Sequence, residues 1–148
     1  MGVSSTIRLR LGPHDVRYGG RLVAGATAME IFGDMATEIG IRTGGDEALS
    51  VGYESVEFLA PLHSGDFVEG HARVVSVGRS SRKIEAVIYK VISASDDGVG
   101  VVHDPPVVVA RASTTIVPMF RERASMVTQP SESSAAARSL DGTEPSAQ

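Results

Sequence analysis

Apolar and polar residues alternate at the start of the chain and predict a half-buried β-strand. Ile7, Leu9 and Leu11 occupy every second position, with an arginine between each pair. This period of two is that of a strand that packs one face on a core. Residues 12–15, Gly-Pro-His-Asp, then break the strand, and residues 18–20, Tyr-Gly-Gly, predict a flexible turn.

A helical pattern follows from about residue 21 to residue 42. Its apolar side chains recur at spacings of three, four and three, which places them on one face of a helix. The residues that define this face are Met29, Phe32, Ala36 and Ile39. Gly44 and Gly45 come directly after the pattern, where a glycine is expected to end a helix.

Four more segments have the β-branched composition and the turn-bounded length of strands. They cover residues 48–58, 66–77, 83–92 and 107–117. Residues 93–106 are rich in Asp, Gly and Pro and predict a long loop between the last two strands. The other connections are short, which predicts antiparallel pairing of consecutive strands. Because a lone sheet would expose one apolar face, we expect the helix to cover it, which gives an α+β fold.

The length and composition fit one domain followed by a tail. The chain has 148 residues, of which 42% are hydrophobic, and this is enough for a single core. Residues 121–148 contain few large apolar side chains and many Ser and Ala residues, so they cannot bury enough surface to offset the entropy of ordering. We therefore predict a folded domain over residues 1–120 and a disordered tail over residues 121–148.

Composition and charge exclude several functional classes. The chain has no cysteine, which removes disulfides, thiolate metal sites and Cys nucleophiles. Its net charge of −4 argues against binding to nucleic acid, because such proteins usually present a basic surface. No segment reaches the roughly 18 apolar residues of a membrane span, and the N-terminus lacks the apolar core of a signal peptide. The sequence therefore predicts a cytoplasmic protein, away from membranes, with a small molecule or a protein as its partner.

Three acidic residues four positions apart form a second stripe on the helix, opposite the apolar face. Glu30, Asp34 and Glu38 make up this stripe. A solvated polar face is the ordinary interpretation, and it suits the two glutamates. Asp34 is a poorer residue for the middle of a helix and follows Gly33. Because a local rule broken in mid-helix often marks a functional position, we single out Asp34 as a catalytic candidate.

The segment before the helix is a second candidate site. Gly19 and Gly20 leave backbone N–H groups accessible, and the N-terminus of a helix adds positive potential. This region could therefore polarise a carbonyl oxygen. His14 could act as an acid or a base, although an ordinary loop histidine is the favoured interpretation. The other three histidines are scattered along the chain without the spacing of metal ligands, so no metal site is predicted.

A tight basic turn at residues 77–83 is the third candidate. It contains Gly78, Arg79, Ser80, Ser81, Arg82 and Lys83. Two interpretations stay open, a solvated hairpin or a loop that binds a phosphorylated ligand, because Arg and Lys suit phosphates and Ser hydroxyls add hydrogen bonds. The cluster is the more informative because the chain as a whole is acidic.

The segments that carry these candidates resemble the hot-dog-fold superfamily of acyl-CoA thioesterases and dehydratases. The most specific match is residues 53–67 with residues 72–81, which contain an aromatic residue, a proline, a Gly-Asp pair, and a long strand that ends in Val-Gly-Arg-Ser-Ser. The resemblance covers about residues 7–117. It implies a long central helix wrapped by a five-stranded antiparallel sheet. It also implies that Asp34, the acid on that helix, is a base or a nucleophile.

Within this superfamily the chain looks most like the β-aminoacyl-CoA ammonia lyases, the deaminases of 3-aminobutyryl-CoA and β-alanyl-CoA. The similarity lies in residues 8–11, 18–20, 22–26, 32–39 and 80–83. Generic thioesterases usually carry His-Gly-Gly closer to the helical acid, so Tyr18 and the wider spacing favour the lyases. The resemblance implies reversible elimination of ammonia to give an enoyl-CoA. No separate cofactor is implied, because coenzyme A is part of the substrate.

The elimination that the resemblance implies needs a base for the α-proton, stabilisation of the thioester enolate and a proton for the departing nitrogen, and these needs suggest roles for the candidates. Asp34 is the base for the α-proton or carries the proton to nitrogen. Tyr18 or His14 supplies or relays a proton. Glu57 joins Asp34 in attracting the cationic amine of the substrate.

The same resemblance implies a binding surface and an assembly. The residues expected to contact the substrate are Gly19, Gly20, Phe58, Gly78, Arg79, Ser80, Ser81, Arg82 and Lys83. Hot-dog subunits pair sheet edge to sheet edge and share active sites, so a homodimer or a trimer of dimers is expected. An acyl-CoA thioesterase and a non-catalytic acyl-CoA-binding module remain the alternative functions.

Overall fold

One long helix and five strands make up most of residues 2–119, the part of the chain that the computed structural model describes. In chain order the elements are β1 (Ser4–Arg10), a short 3-10 turn (Pro13–Asp15), α1 (Gly25–Gly44), β2 (Leu49–Phe58), β3 (Phe67–Val77), β4 (Arg82–Ala94) and β5 (Gly100–Val117). The predicted tail, residues 121–148, lies outside the described residues.

The five strands form one antiparallel sheet in the order β1-β3-β4-β5-β2, with α1 packed on one face. This confirms the predicted α+β fold. The prediction that consecutive strands pair is wrong for β2 and β3, because β2 pairs with β5 and β3 pairs with β1. Residues 59–66 cross between them instead, anchored by a hydrogen bond of 2.8 Å from the Val23 N–H to the Leu62 carbonyl.

The buried face of α1 is wider than the predicted stripe. Phe32, Ala36 and Ile39 are buried as predicted, whereas Met29 is only partly buried. The pattern missed other buried helix residues, which include Ala28, Ile31 and Met35. These residues flank the predicted row, because α1 contacts all five strands and more than one line of its side chains is covered.

The helix begins at Gly25, not at about residue 21. Residues 21–24 continue the apolar pattern, but Arg21 has a φ of 63°. Two isolated bridges hold this segment in an extended path, Val16 with Val23 and Leu22 with His63. Val23 is buried by this path, so its apolar character reflects the core and not a helix.

Residues 93–106 do not form the predicted long loop. β4 continues to Ala94 and β5 begins at Gly100, so only residues 95–99 form the turn. The register passes from Lys90–Val107 to Ile92–Val102. Residues 103–106, which contain both prolines of this segment, therefore lie in an irregularity of the β4–β5 pairing. No backbone N–H of β5 is required there to bond β4, so proline is tolerated.

A buried ion pair joins the crossing segment to the sheet. Asp66 and Lys90 are both buried, and Lys90 Nζ lies 3.4 Å from Asp66 Oδ2. Lys90 Nζ also donates to the Pro61 carbonyl at 2.7 Å, and the His63 N–H donates to Asp66 Oδ2 at 2.8 Å. Both charges thus have hydrogen-bond partners, as buried charges require.

Candidate active site

The acidic stripe on α1 contains one carboxylate that is bonded and two that are not. Glu38 accepts hydrogen bonds from Ser5 and from Arg42. Asp34 and Glu30 are exposed and have no hydrogen bond or ion pair with any described residue. Of these two, Asp34 stands in mid-helix beside Gly33, where an added Cβ would meet nothing within 4 Å. A ligand can therefore approach Asp34 closely.

The hydrogen bonds to Glu38 favour its charged form. The hydrogen bond from Ser5, and after it that from Arg42, lowers the pKa of the Glu38 carboxyl below its usual value. A carboxyl whose pKa is lowered by folding stabilises the folded state above its unfolded pKa, and this contribution is lost as pH falls through the folded value. Glu38 therefore ties α1 to β1 and contributes stability at neutral pH.

The Tyr-Gly-Gly turn is exposed over its whole length. Tyr18 is 60% exposed, and its side chain has no hydrogen bond within residues 2–119. Gly20 has a φ of 69°, a conformation that favours glycine. His14 lies in the neighbouring 3-10 turn, where its exposed ring contacts Asp15 at 3.4 Å. The Ala24 N–H donates to the Asp15 carbonyl at 3.4 Å, so this turn is tied to the start of α1.

The start of α1 is open on one side and covered by an aromatic ring on the other. No side chain of the described residues caps the helix, and Gly25 and Ala26 are exposed. The first N–H groups of a helix have no partner within it. A Cβ placed on Gly25 would lie 3.1 Å from the ring of Phe58, which is itself 58% exposed. Free N–H groups beside an apolar wall suit the carbonyl of an acyl group.

One subunit does not bring Asp34 and the helix start together. Asp34 is nine residues beyond Gly25, and at 1.5 Å per residue this is about 14 Å along the axis. The turn at residues 18–20 lies before the helix start. A thioester held at the helix start would thus be too far from the carboxylate of the same chain.

Glu57 lies on the face of the sheet that points away from α1. It lines a groove of about 730 Å³ between outward-facing side chains of all five strands. Its pairing partner across β2 and β5 is Arg111, which also lines the groove. Neither Asp34 nor Tyr18 borders this groove, so one subunit does not place Glu57 beside them.

The basic turn separates its three cations. Lys83 points to the outer face, 2.6 Å from Glu54, and this hydrogen bond raises the pKa of Lys83 and lowers that of Glu54. Arg82 donates to the Thr43 carbonyl at 3.4 Å, near the end of α1. Arg79 is exposed and has no hydrogen bond or ion pair with a described residue. Arg79 is thus the cation of this turn that is left for a ligand.

A groove of about 190 Å³ lies along the basic turn. It is lined by Gly78, Arg79, Ser80, Ser81, Arg82 and Pro118. The Gly78 N–H donates to the Ser81 carbonyl at 2.8 Å, and a Cβ at Gly78 would clash with Ser81 Oγ at 2.6 Å. The hydrogen bond between Gly78 and Ser81 therefore closes the tight turn that presents the guanidinium and the hydroxyls together.

Within residues 2–119, no three His, Cys, Asp or Glu side chains cluster so that they could hold a metal ion. The helix in that range is not apolar enough to cross a bilayer.

The comparisons with known proteins agree with this architecture. The chain matches the family model described as the thioesterase superfamily over residues 18–93. It is 40% identical to the 3-aminobutyryl-CoA ammonia lyase of Acetoanaerobium sticklandii over 82% of this chain and 99% of that protein. The solved structure of the β-alanyl-CoA:ammonia lyase from Clostridium propionicum matches with a TM-score of 0.77 and 31% identity, over 80% of this chain and 86% of that one.

More distant structures share the fold. A hexameric hotdog fold thioesterase of Campylobacter jejuni matches with a TM-score of 0.66 at 17% identity, over 78% of this chain and 83% of that chain. The predicted hot-dog fold and the predicted similarity to ammonia lyases are both confirmed. The chain belongs to the thioesterase superfamily of hot-dog-fold proteins.

Proposed function

We propose that this protein is a CoA-thioester ammonia lyase that reversibly eliminates ammonia from a β-aminoacyl-CoA, such as 3-aminobutyryl-CoA, to give the enoyl-CoA. The observation that carries the proposal is the 40% identity to a 3-aminobutyryl-CoA ammonia lyase over 82% of this chain. The exposed carboxylate of Asp34 in mid-helix, which makes no hydrogen bond or ion pair with residues 2–119, supports it.

Asp34 is the base in this proposal. Its carboxylate removes a proton from the α-carbon, and the electron pair of that C–H bond passes into the thioester enolate, from which it forms the α,β double bond as the C–N bond breaks. The pair of the C–N bond leaves with nitrogen, so the substrate's ammonium group departs as ammonia. The proton on Asp34 then passes to ammonia, directly or through Tyr18 or His14. The products are the enoyl-CoA and ammonium, and the carboxylate is restored.

The thioester oxygen gains negative charge as the α-proton leaves. We infer that backbone N–H groups at the start of α1, or those of Gly19 and Gly20, hold this oxygen. Their exposure and the positive end of the helix dipole support this placement. The ring of Phe58 against Gly25 supplies an apolar wall for the acyl group.

A second copy of the chain completes the site in this proposal. The axial separation of about 14 Å between Asp34 and Gly25 supports a site in which the base and the oxygen-binding groups come from different subunits. Among the described strands β2 pairs only with β5, and Leu49 and Val51 on it are 50% and 65% exposed. An unpaired strand edge with apolar side chains favours pairing with another chain. Light scattering on the purified protein should distinguish a dimer from a trimer of dimers.

Two assays test the proposed function. Crotonyl-CoA with ammonium should lose the absorbance of its conjugated thioester as ammonia adds across the double bond. Simple acyl-CoAs, assayed with a thiol reagent, should release free CoA much more slowly than ammonia adds to crotonyl-CoA. Release of free CoA from acyl-CoAs, with no addition of ammonia to crotonyl-CoA, would contradict the lyase proposal.

An acyl-CoA thioesterase is the second candidate function. The match to the thioesterase family model over residues 18–93 favours it, since a carboxylate and a water are enough for thioester hydrolysis. A module that binds acyl-CoA without turnover is the remaining alternative. It predicts acyl-CoA binding with neither reaction, so the same pair of assays separates all three.

Replacing Arg79 by glutamine is expected to raise the KM for the CoA thioester about tenfold with little change in kcat. A charge-assisted hydrogen bond contributes on the order of 1.5–3 kcal/mol, and we place Arg79 on a phosphate of coenzyme A. Steady-state kinetics at two salt concentrations should show a smaller salt dependence in the variant. The matched control is Arg111→Gln, which removes an exposed arginine from the outer face and should leave KM unchanged. An equal effect of both variants would contradict the placement.

A further inference from the structure

Arg21 directly follows the Tyr-Gly-Gly turn and has an uncommon backbone conformation. Its φ of 63° follows a φ of 69° at Gly20, so two consecutive residues are left-handed. A residue with a Cβ adopts this region at an energetic cost. Such strain persists only where the surroundings fix it, so the contacts of the Arg21 side chain are expected to hold this conformation.

The guanidinium of Arg21 joins two other loops. Nη2 donates to the carbonyls of Ser64 and Ala94, the latter at 3.4 Å. Nε lies 3.0 Å from Asp96 Oδ1. The Arg21 carbonyl in turn accepts the Ser64 N–H at 3.0 Å. One residue thus connects the Tyr-Gly-Gly turn to the crossing segment and to the turn between β4 and β5.

Gly65 makes room for this guanidinium. It has a φ of 97°, and a Cβ there would lie 3.1 Å from Arg21 Nη2 and 3.3 Å from the Ala94 carbonyl. By contrast, added Cβ atoms at Gly19 and Gly20 would meet nothing within 4 Å. The Leu22 N–H donates to the Gly19 carbonyl at 3.4 Å, so the two glycines are held by the backbone of the turn and not by side-chain packing. Their position therefore depends on the residues that flank them.

We propose that Arg21 is a positioning residue that fixes the Tyr-Gly-Gly turn for the reaction, with Asp96 as its partner from the β4–β5 turn. The inference rests on the proposed function, because it assumes that Tyr18 or the Gly19 and Gly20 amides contact the substrate. Arg21 acts through the turn and does not itself touch the reacting atoms. Through Asp96, the β4–β5 turn at residues 95–99 affects the reaction, although it is far from Asp34 in the sequence.

Arg21→Met, Arg21→Lys and Asp96→Asn test this assignment. Arg21→Met is expected to lower kcat for ammonia addition about 10- to 100-fold, the size of effect seen when reacting groups lose alignment, with a smaller change in KM. Arg21→Lys should recover part of the loss, since it keeps the charge facing Asp96. Asp96→Asn leaves both hydrogen bonds from Arg21 to carbonyls in place, and it should lower kcat only about threefold. The control is Arg10→Met, which removes a bond of 3.2 Å to the Gly65 carbonyl without touching the turn.

A second measurement does not depend on turnover. Backbone ¹⁵N relaxation of Gly19 and Gly20 should show lower order parameters in Arg21→Met than in wild type and in Arg10→Met. Unchanged kcat and unchanged order parameters, in a wild-type protein that adds ammonia, would overturn the inference and leave the proposed function intact. If Arg21→Met lowers the order parameters of Gly19 and Gly20 but the wild-type protein has no lyase activity, the result would support Arg21 as the residue that fixes the turn and would reject the proposed function. If Arg21→Met does not fold, the Arg21→Lys and Asp96→Asn series decides by the same criteria.

Discussion

Replacing Asp34 by asparagine is expected to lower kcat about 1,000-fold while leaving the fold and the binding of acyl-CoA unchanged. General base catalysis by a positioned carboxylate contributes roughly 10²- to 10⁴-fold, and asparagine is isosteric but cannot accept the α-proton. The substitution should not disturb packing, because Asp34 is exposed and makes no hydrogen bond or ion pair with a described residue. Initial rates with crotonyl-CoA and ammonium measure the loss, and circular dichroism checks the fold.

The control for this substitution lies one helical turn earlier. Glu30 is exposed on the same stripe and has no partner among the described residues. Glu30→Gln removes the same charge from the same surface and should retain nearly full activity. Unchanged turnover in Asp34→Asn, or an equal loss in Glu30→Gln, would show that Asp34 is not the base. The first result would favour a binding module or another base, and the second would indicate a general effect of charge.

Replacing Lys90 by methionine is expected to lower the free energy of unfolding by about 3 kcal/mol, because it leaves the buried carboxylate of Asp66 without its counter-charge. Asp66 is 1% exposed and Lys90 is 8% exposed, so solvent cannot replace the lost partner. The Pro61 carbonyl also loses the hydrogen bond of 2.7 Å from Lys90 Nζ. Urea unfolding followed by circular dichroism gives the change directly.

Two further variants make this result specific. Asp66→Asn together with Lys90→Met removes both charges but keeps an acceptor for the His63 N–H, and it should restore part of the lost stability. Arg73→Met breaks an exposed ion pair with Glu85 at 3.7 Å and should cost less than about 1 kcal/mol. A loss in Lys90→Met no larger than that in Arg73→Met would show that the buried pair adds nothing beyond a surface pair.

The spacing of apolar residues was sufficient to predict the helix and strands that are bounded by glycine or proline. Phe32, Ala36 and Ile39 repeat at helical spacing and are buried together on α1. The same pattern isolated Asp34 on the opposite face, because a helix with one packed side has a defined outer side. The start of the helix was misplaced, since Val23 is apolar for a tertiary reason, a bridge to Val16 and burial in the core.

The β4–β5 connection was misplaced for a similar reason. Prolines within residues 103–106 suggested a loop, but they occupy an irregularity that the flanking pairs, Lys90–Val107 and Ile92–Val102, close on both sides. Such closure depends on partners distant in the sequence. The structure also adds Arg21 to the candidate site. A lone arginine after two glycines gives no periodic signal, and its partners lie 43 to 75 positions further along the chain.

One feature of the candidate site could have been read from the sequence. Glu57 and Phe58 are adjacent in a strand, and neighbouring side chains of a strand point to opposite faces of the sheet. They therefore cannot both face one pocket within a subunit. Phe58 lies against Gly25 on the helix side, whereas Glu57 lines the outer groove.

The strand order β1-β3-β4-β5-β2 also sets the order in which the sheet can form. Only β3–β4 and β4–β5 join strands by short hairpin turns, whereas β1 and β2 must find partners about 60 residues away. Closing such long loops costs entropy before the new contacts repay it. We therefore expect folding to nucleate in the central β3-β4-β5 meander, with both outer strands and the helix docking later. Pulse-labelled hydrogen exchange should find the amides of Ile84 and Ile88 protected before those of β1.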